Sequence, residues 1–193
     1  GILSEKKDFW LVADDLGSWG SDQGTNSSTL IKEILSIPAP FNLVLNYFEP
    51  EMLLLQKEVM LSLLNDRRII QICLPLQTGS QRLLKKMGRH YSIAEVRNCI
   101  EEIRRLNPNL VIKTQLIVGF PGETWSDFWK TVQCLGDFDG VGVNAYARLP
   151  FTAAYKLKPL SARMVKIRYQ LMKLFITLHH MKFILLSLAR SRS

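Results

Sequence analysis

Polar side chains that could bind a ligand lie toward the ends of five apolar stretches that are typical of buried β-strands. Parallel α/β sheets place their ligands at the carboxyl ends of the strands. Carboxylates, amides and hydroxyls at these ends could hold an amino group, a carboxylate or the hydroxyls of a ribose. The polar residues in question are Asp14 and Asp15, Asn46 and Glu49, Gln77, Thr78 and Ser80, Gln115, and Asn144 and Tyr146.

Two glycine-containing turns form the centre of this predicted site. The turn PLQTGS follows one apolar stretch and the turn GFPGET follows the next. Gly79, Gly119 and Gly122 let the backbone approach a ligand closely, because glycine carries no side chain. Arg89, which follows the first turn, is suited to bind a carboxylate through two parallel hydrogen bonds. We therefore expect both turns to belong to one binding site.

The sequence contains no residue set that is typical of hydrolysis or of metal binding. His90 is the only histidine near the two turns, and no nucleophile elbow accompanies it. Cys73, Cys99 and Cys134 form no CxxC and no other close metal-ligand spacing. Scattered cysteines of this kind are typical of small core residues in a reducing compartment. We predict no catalytic residue and no metal ligand in this chain, and a cytoplasmic location.

Strand and helix patterns alternate along the chain. The predicted strands are 8–14, 41–48, 69–76, 110–120 and 140–146, one helix runs from 50 to about 65, and a last helical region runs from 159 to about 189. Ser27 or Ser28 could cap the first helix, and Thr124 with Asp127 could cap the helix after GFPGET. The alternation predicts an α/β fold with about five parallel strands. An open doubly wound sheet and part of a barrel are both compatible with it.

Charge and hydropathy limit the function classes. The 193 residues carry a formal net charge of +8, which favours anionic partners such as nucleic acid. No uncharged apolar stretch reaches about 18 residues, so we expect no membrane partner. The chain opens with Gly1 rather than Met, and we expect it to be a fragment or a processed product.

The two turns and their surroundings resemble the radical S-adenosylmethionine methylthiotransferases. ICLPLQTGSQRLLKKMGRHYS and TQLIVGFPGETWSDF are similar to the family patterns HLPVQSGS…VLKxMxR and DFIVGFPGET. VADDLGSWGSDQGTN and LNYFEPE are similar to a QDTxAYGxDxGTN loop and a third-strand segment, and NAYARLPFTAA is more weakly similar to YSxRPGTPAA. The similarity covers about residues 8–156.

This resemblance implies a partial (β/α) barrel of the radical S-adenosylmethionine type whose first strand is missing, with a core domain at 1–156 and a helical tail at 157–193. It implies S-adenosylmethionine as a cofactor, a 4Fe–4S cluster that cleaves it, and transfer of a methylthio group to a tRNA adenosine near the anticodon. We favour tRNA as the partner because of the charge and the GTN and EPE segments. The residues expected to bind the cofactor are Asp15, Glu49, Gln77, Ser80, Arg89, Gln115, Gly119 and Gly122.

The sequence departs from the family pattern at the cluster and at several motif positions. It contains no CxxxCxxC loop, so the cluster is expected only in a parent protein, on an upstream segment. Gln115 stands where the family has Asp. Leu149, Phe151 and Ala153 replace the Arg, Gly and Pro of RPGTP. We therefore predict that this chain alone is inactive.

Other functions are compatible with the same residues. The chain could be a non-catalytic barrel fragment that binds an adenosyl compound, RNA or a protein. It could also belong to a methylthiotransferase that acts on a ribosomal protein. An ordinary α/β metabolic enzyme is disfavoured, because no cofactor motif or catalytic triad supports it.

Overall fold

The computed structural model describes residues 7–190, and over 182–190 it describes the backbone alone. Within this range the strands are β1 (Lys7–Val12), β2 (Phe41–Asn46), β3 (Ile69–Cys73), β4 (Val111–Val118) and β5 (Gly140–Ala145). The α-helices of the same range are α1 (Ser27–Ser36), α2 (Pro50–Leu55), α3 (Lys57–Leu64), α4 (Gln81–Lys86), α5 (Ile93–Leu106), α6 (Trp125–Gln133) and α7 (Ala162–Arg190). All of the predicted strands and the C-terminal helix are therefore present.

The strands form one sheet in the order β1-β2-β3-β4-β5. Neighbouring strands pair in parallel, with Trp10 opposite Val44 and Ile72 opposite Ile112 as examples. A doubly wound sheet reverses its strand order at a switch point, whereas this order is sequential. The predicted α/β fold with five parallel strands is confirmed, and its strand order is that of a (β/α) barrel segment.

The chain divides into two compact units. The first contains β1 to β3, the start of β4, and helices α1, α2, α3 and α5. The second contains α4, the rest of β4, α6, β5 and α7. Fully buried residues of the first unit include Leu43, Leu45, Met60 and Ile72, and those of the second include Leu83, Leu116, Val118 and Phe128. The predicted boundary between residues 156 and 157 stays a prediction.

The cap of α1 differs from the sequence prediction. Asn26, rather than Ser27 or Ser28, is the N-cap, and its Oδ1 accepts the backbone N–H of Thr29 at 3.0 Å. Asparagine and serine are about equally good caps, so the sequence alone does not discriminate between neighbours of these types. The hydroxyl of Ser27 instead donates to the carbonyl of Gly17 at 3.0 Å.

The helix predicted over residues 50–65 is two helices that meet at Gln56. Gln56 has φ −106° and ψ 22°, which lie outside the helical region. Its side-chain oxygen accepts the N–H of Ser28 at 3.3 Å, and its Nε2 donates to the carbonyl of Gly17 at 3.4 Å. The polar side chain at the break therefore ties these helices to the start of α1.

Helix α7 packs against β5 and α6 in the second unit. Met172 and Ile176 are buried, and the rings of Phe175 and Trp129 meet edge to face at 5.3 Å between centroids. Although α7 has 29 residues, no helix in the described part of the chain is long and apolar enough to cross a membrane.

Candidate functional site

The QTGS segment of the first turn and the GFPGET turn are joined within the second unit. Gln77 donates its N–H to the carbonyl of Gln115 at 2.9 Å, and Ile117 donates to the carbonyl of Gln77 at 2.7 Å. The N–H of Gly79 donates to the hydroxyl of Thr131 on α6 at 3.0 Å. The structure thus brings together the two turns that the sequence placed in one site.

Two positions in the first turn carry unusual backbone constraints. Gln77 has a φ of 64°, a left-handed conformation that is uncommon for residues other than glycine and that clusters at functional sites. A Cβ on Gly79 would lie 2.3 Å from the carbonyl oxygen of Lys130. Packing of this turn on α6 is therefore sufficient to require the glycine, without any ligand.

Asp127 is the central polar residue between α4 and α6, and it is 3% exposed. Its carboxylate accepts the hydroxyl of Ser80 at 2.5 Å, the N–H of Thr124 at 2.9 Å, the hydroxyl of Thr124 at 2.5 Å, and the guanidinium of Arg82. Burial raises the pKa of Asp127, but the hydrogen bonds from Arg82, Ser80 and Thr124 outweigh it and hold the pKa well below its usual range. The predicted capping box of Thr124 and Asp127 is confirmed.

Glu123 of the GFPGET turn forms a buried ion pair with Arg168 of α7. Arg168 Nε lies 3.0 Å from Glu123 Oε2, and the two side chains are 3% and 0% exposed. Oε2 also accepts the N–H of Gly119 at 2.8 Å, and the guanidinium stacks 4.3 Å from the centre of the Trp125 ring. Burial raises the pKa of Glu123 to about 7, although the N–H of Gly119 and the charge of Arg168 act in the opposite direction. Through the contacts of Arg168 with Glu123 and Trp125, helix α7 holds the GFPGET turn in place.

Sequence reasoning missed Arg168 because it lies in the part of the chain that matches no motif. Asp127 was predicted only as a helix cap, and nothing in the sequence pairs it with Ser80 or Arg82. The only sequence signals were the position of Glu123 in the GFPGET turn and that of Asp127 in the helix cap that follows it, and both positions are also typical of solvated residues.

A cavity of about 550 Å³ opens in the second unit beside the two turns. Its lining includes Gln77, Lys85, Lys86, Arg89, Phe120, Asn144 and Tyr146, and none of its lining residues is acidic. The rings of Phe120 and Tyr146 meet edge to face at 5.3 Å, and the buried hydroxyl of Tyr146 has no hydrogen-bond partner within the described structure. The cavity therefore suits a ligand that combines a planar ring with an anionic group.

The predicted cofactor-binding residues of the second unit have different surroundings. Gln77 and Arg89 line the cavity. Ser80 does not line it, because its buried hydroxyl donates to Asp127 and it caps α4. Gln115 lies in β4, where its carbonyl accepts the N–H of Gln77.

The two predicted glycines of the GFPGET turn have positive φ values. Gly119 has φ 79° and Gly122 has φ 81°, so both adopt a conformation that glycine favours. A Cβ on Gly119 would also lie 2.8 Å from a methyl group of Val165 on α7. The contact with α7 and the backbone conformation both explain the glycine at this position.

Asp15 and Glu49 lie together in the first unit. The N–H of Glu49 donates to Asp15 Oδ1 at 3.4 Å. Asp15 also accepts the hydroxyl of Ser18, and the N–H of Ser18 at 3.3 Å. The structure thus brings these two predicted residues together, and local hydrogen bonds hold the Asp15 carboxylate.

The described residues contain no group of three or more His, Cys, Asp or Glu side chains that could hold a metal ion. Cys73, Cys99 and Cys134 are all buried. Burial raises the pKa of the Cys99 thiol to about 11, and it also raises the pKa of Cys73. A cysteine that binds metal as a thiolate requires a lowered pKa instead.

Known proteins resemble this chain in sequence. The family described as the Radical SAM superfamily matches residues 28–135. A protein of Pyrococcus horikoshii, named a probable threonylcarbamoyladenosine tRNA methylthiotransferase, is 35% identical over 169 residues, which are 86% of this chain and 40% of that relative. A protein of Protochlamydia amoebophila, named ribosomal protein uS12 methylthiotransferase RimO, is 35% identical over 171 residues, which are 84% of this chain and 36% of that relative.

A solved structure shares the fold. Coproporphyrinogen III oxidase HemN of Escherichia coli, described as a radical SAM enzyme, superimposes with a TM-score of 0.63 at 20% identity, over 79% of this chain and 36% of the other. The chain spans 40% or less of the length of the two named relatives. The family match confirms the radical S-adenosylmethionine superfamily predicted from the motifs, and the names of both relatives are those of the methylthiotransferases that the two turns resemble.

Proposed function

The chain belongs to the Radical SAM superfamily, and we propose that it is part of a methylthiotransferase that modifies an adenosine of tRNA near the anticodon. In this proposal it supplies part of the S-adenosylmethionine site. The observation that carries the proposal is the cavity beside the two turns, whose lining combines Arg89 with the ring of Phe120. The names of the two methylthiotransferase relatives support the reaction class.

The cavity residues fit S-adenosylmethionine in part. A volume of about 550 Å³ is within the range of small-molecule sites. Arg89 suits the carboxylate, the rings of Phe120 and Tyr146 offer an apolar surface to the adenine, and the amides of Gln77 and Asn144 suit the ribose hydroxyls. The ammonium group would meet only neutral acceptors there, since no lining residue is acidic. In this superfamily the bound cofactor supplies a hydrogen-abstracting radical.

The described residues do not fit the 4Fe–4S cluster of this superfamily. None of their side chains form a metal-binding group, and the three cysteines are buried, with the pKa values of Cys73 and Cys99 shifted away from the thiolate form. We therefore assign no step of the reaction to a cluster held by these residues. Our prediction that the chain is inactive by itself rests on its sequence, which contains no CxxxCxxC loop.

The charge of the chain supports tRNA as the substrate. The net charge is +8, and the exposed side chains of Lys85 and Lys86 line the cavity. Phosphate groups are the natural counterpart of such a surface. A ribosomal protein is the alternative substrate, because one relative carries that name. We propose a cytoplasmic location, where either substrate occurs.

A second candidate function is that of a non-catalytic module that binds RNA. The absence of metal-binding groups among the described residues, together with the cationic cavity, favours it. Anaerobic reconstitution with iron and sulfide addresses this point directly. We expect the purified chain to gain no visible absorbance of a 4Fe–4S cluster. A stoichiometric cluster would contradict the prediction that its cysteines bind no metal.

Replacing Arg89 by methionine should weaken the binding of S-adenosylmethionine about 10- to 100-fold. The reason is that charge-assisted hydrogen bonds to a carboxylate contribute about 1.5–3 kcal/mol each. Equilibrium dialysis with the radiolabelled cofactor would measure the change. Arg67→Met is the matched control, because Arg67 is exposed and lies in the first unit. Equal affinity of wild type and Arg89→Met would show that the cofactor does not bind in this cavity.

A further inference from the structure

Phe151 combines a strained backbone with a fully exposed ring. Its φ is 67°, and its relative exposure is 105%. Bulky residues are disfavoured in this left-handed region, where glycine is tolerated without cost. Burial of a ring can offset such strain, but this ring has no buried surface. Nothing in the described structure therefore compensates for phenylalanine at this position.

The loop that carries Phe151 is held in place by its own hydrogen bonds. The guanidinium of Arg148 stacks 4.3 Å from the centre of the Tyr155 ring, and its Nε and Nη2 donate to the carbonyl of Tyr155 at 3.1 and 2.8 Å. The hydroxyl of Thr152 donates to the carbonyl of Leu149 at 2.8 Å. These contacts close a short turn, and Phe151 projects from its tip into solvent.

The same loop forms one side of the cavity. Leu149 and Thr152, which flank Phe151 in the sequence, line the cavity together with Lys85, Lys86 and Arg89. Phe151 lines a shallow depression on the loop with Tyr155 and Lys156. The exposed ring therefore stands at the rim of a cationic cavity.

The surroundings of this ring favour a polyanionic partner. No acidic residue lines the cavity or the shallow depression, and the sequence contains no Asp or Glu after Asp139. Exposed aromatic rings beside cationic grooves bind single-stranded nucleic acid, because the rings stack on bases while the cations contact phosphates. An acidic protein would match the charge but would not need a flat exposed ring.

We propose that Phe151 is a base-stacking residue, which stacks on a nucleobase of single-stranded RNA at the mouth of the cavity. This inference rests on the proposed function, since it identifies how the same site holds its RNA. The positive φ of Phe151 then has a role, because this backbone conformation at the tip of the loop directs the ring toward the base. The exposed side chains of Lys85 and Lys86 contact the adjacent phosphates.

The test compares Phe151→Ala, Phe151→Gly and Phe151→Trp in the full chain. Fluorescence anisotropy would measure their affinity for a labelled RNA hairpin with a single-stranded loop, and for an RNA duplex of the same length. We expect the Ala and Gly variants to bind the hairpin about 5- to 100-fold more weakly than wild type, because they lose the stacking ring. The Trp variant keeps an aromatic ring and should retain the affinity. Duplex binding should be unchanged in all three.

Thermal unfolding separates stacking from a structural role. Phe151→Gly should unfold at the same or a higher temperature than wild type, because glycine relieves the strain at positive φ. A residue that merely holds the loop would instead lower the unfolding temperature. Phe9→Ala is the control for loss of an exposed ring, as Phe9 is 53% exposed and lies in the first unit.

The proposal would be overturned by hairpin binding that is insensitive to Phe151→Gly, by equal loss of hairpin and duplex binding, or by a Phe9→Ala variant that loses as much hairpin affinity. Dependence on Phe151 of binding to an acidic protein, but not to the hairpin, would do the same. The cofactor-binding experiment on Arg89 is independent of this one. If it fails while the stacking result holds, the chain binds RNA but the cofactor does not bind in this cavity.

Discussion

Replacing Asp127 by asparagine should lower the free energy of unfolding by about 3–5 kcal/mol, because its buried carboxylate accepts hydrogen bonds from the N-cap residues of both α4 and α6. The hydroxyls of Ser80 and Thr124 and the N–H of Thr124 all donate to it. An amide offers one acceptor and two donors, so at least one of these donors would face another donor at a 3% exposed site. Arg82 is about half-exposed, and we expect its ion pair to contribute little of this loss.

Urea unfolding at neutral pH would measure the effect, with Asp22→Asn as a control at an exposed aspartate. The pKa of Asp127 is lower in the folded state than its ordinary value of 3.8, so its stabilisation is present above that pH and is lost as the pH falls below it. The difference between wild type and Asp127→Asn should therefore shrink below about pH 4. A loss below about 0.5 kcal/mol at neutral pH, typical of surface sites, would contradict this role.

Replacing Arg168 by methionine should destabilise the chain by about 3–5 kcal/mol at pH 8, because it leaves the carboxylate of Glu123 buried without its counter-charge. Both side chains are at most 3% exposed, so solvent cannot replace the lost partner. The variant should also loosen the GFPGET turn, since Gly119 and Arg168 contact the same carboxylate oxygen. In the function proposed above, the same variant should therefore bind S-adenosylmethionine more weakly.

The pH dependence of the destabilisation in Arg168→Met should identify Glu123 as its source. Burial raises the folded-state pKa of Glu123 to about 7, above its ordinary value of 4.5. The contribution of a group with a raised pKa is fully present below its unfolded-state pKa and is lost as the pH rises through the folded-state pKa. Loss of Arg168 raises the folded-state pKa further, so Arg168→Met should be less destabilised near pH 5 than near pH 8.

Chemical unfolding at both pH values would measure this difference, and two variants sharpen the comparison. Arg163→Met removes an exposed cation from the same helix and should change the stability little. The double variant Glu123→Gln, Arg168→Met removes both charges and should recover part of the loss, with no dependence on pH over this range. A single variant whose destabilisation is the same at both pH values would show that Glu123 is not its source.

Local sequence signals were sufficient for the strands and for the start of α6. Apolar stretches that end in glycine-containing turns predicted β3, β4 and the sheet, because burial on both faces requires continuous apolar residues. Thr124 and Asp127 predicted the start of α6, because a capping box depends on residues only three positions apart. Each of these inferences concerns neighbours in the sequence, whose geometry the backbone itself sets.

The sequence by itself thus determined the α/β class, the strands, the family and the turns on which the candidate site is built. Tertiary structure alone decided that the strands follow a sequential order. It also decided that Ser80 donates to Asp127 rather than lining the cavity, and that Arg168 of α7 pairs with Glu123. It also placed Phe151 in a strained and fully exposed position. The physical reason is the distance along the sequence over which each effect acts. Helix and strand propensity and hydrophobic periodicity depend on residues a few positions apart. The Ser80–Asp127 and Arg168–Glu123 contacts join residues 47 and 45 positions apart, which only the packed chain brings together.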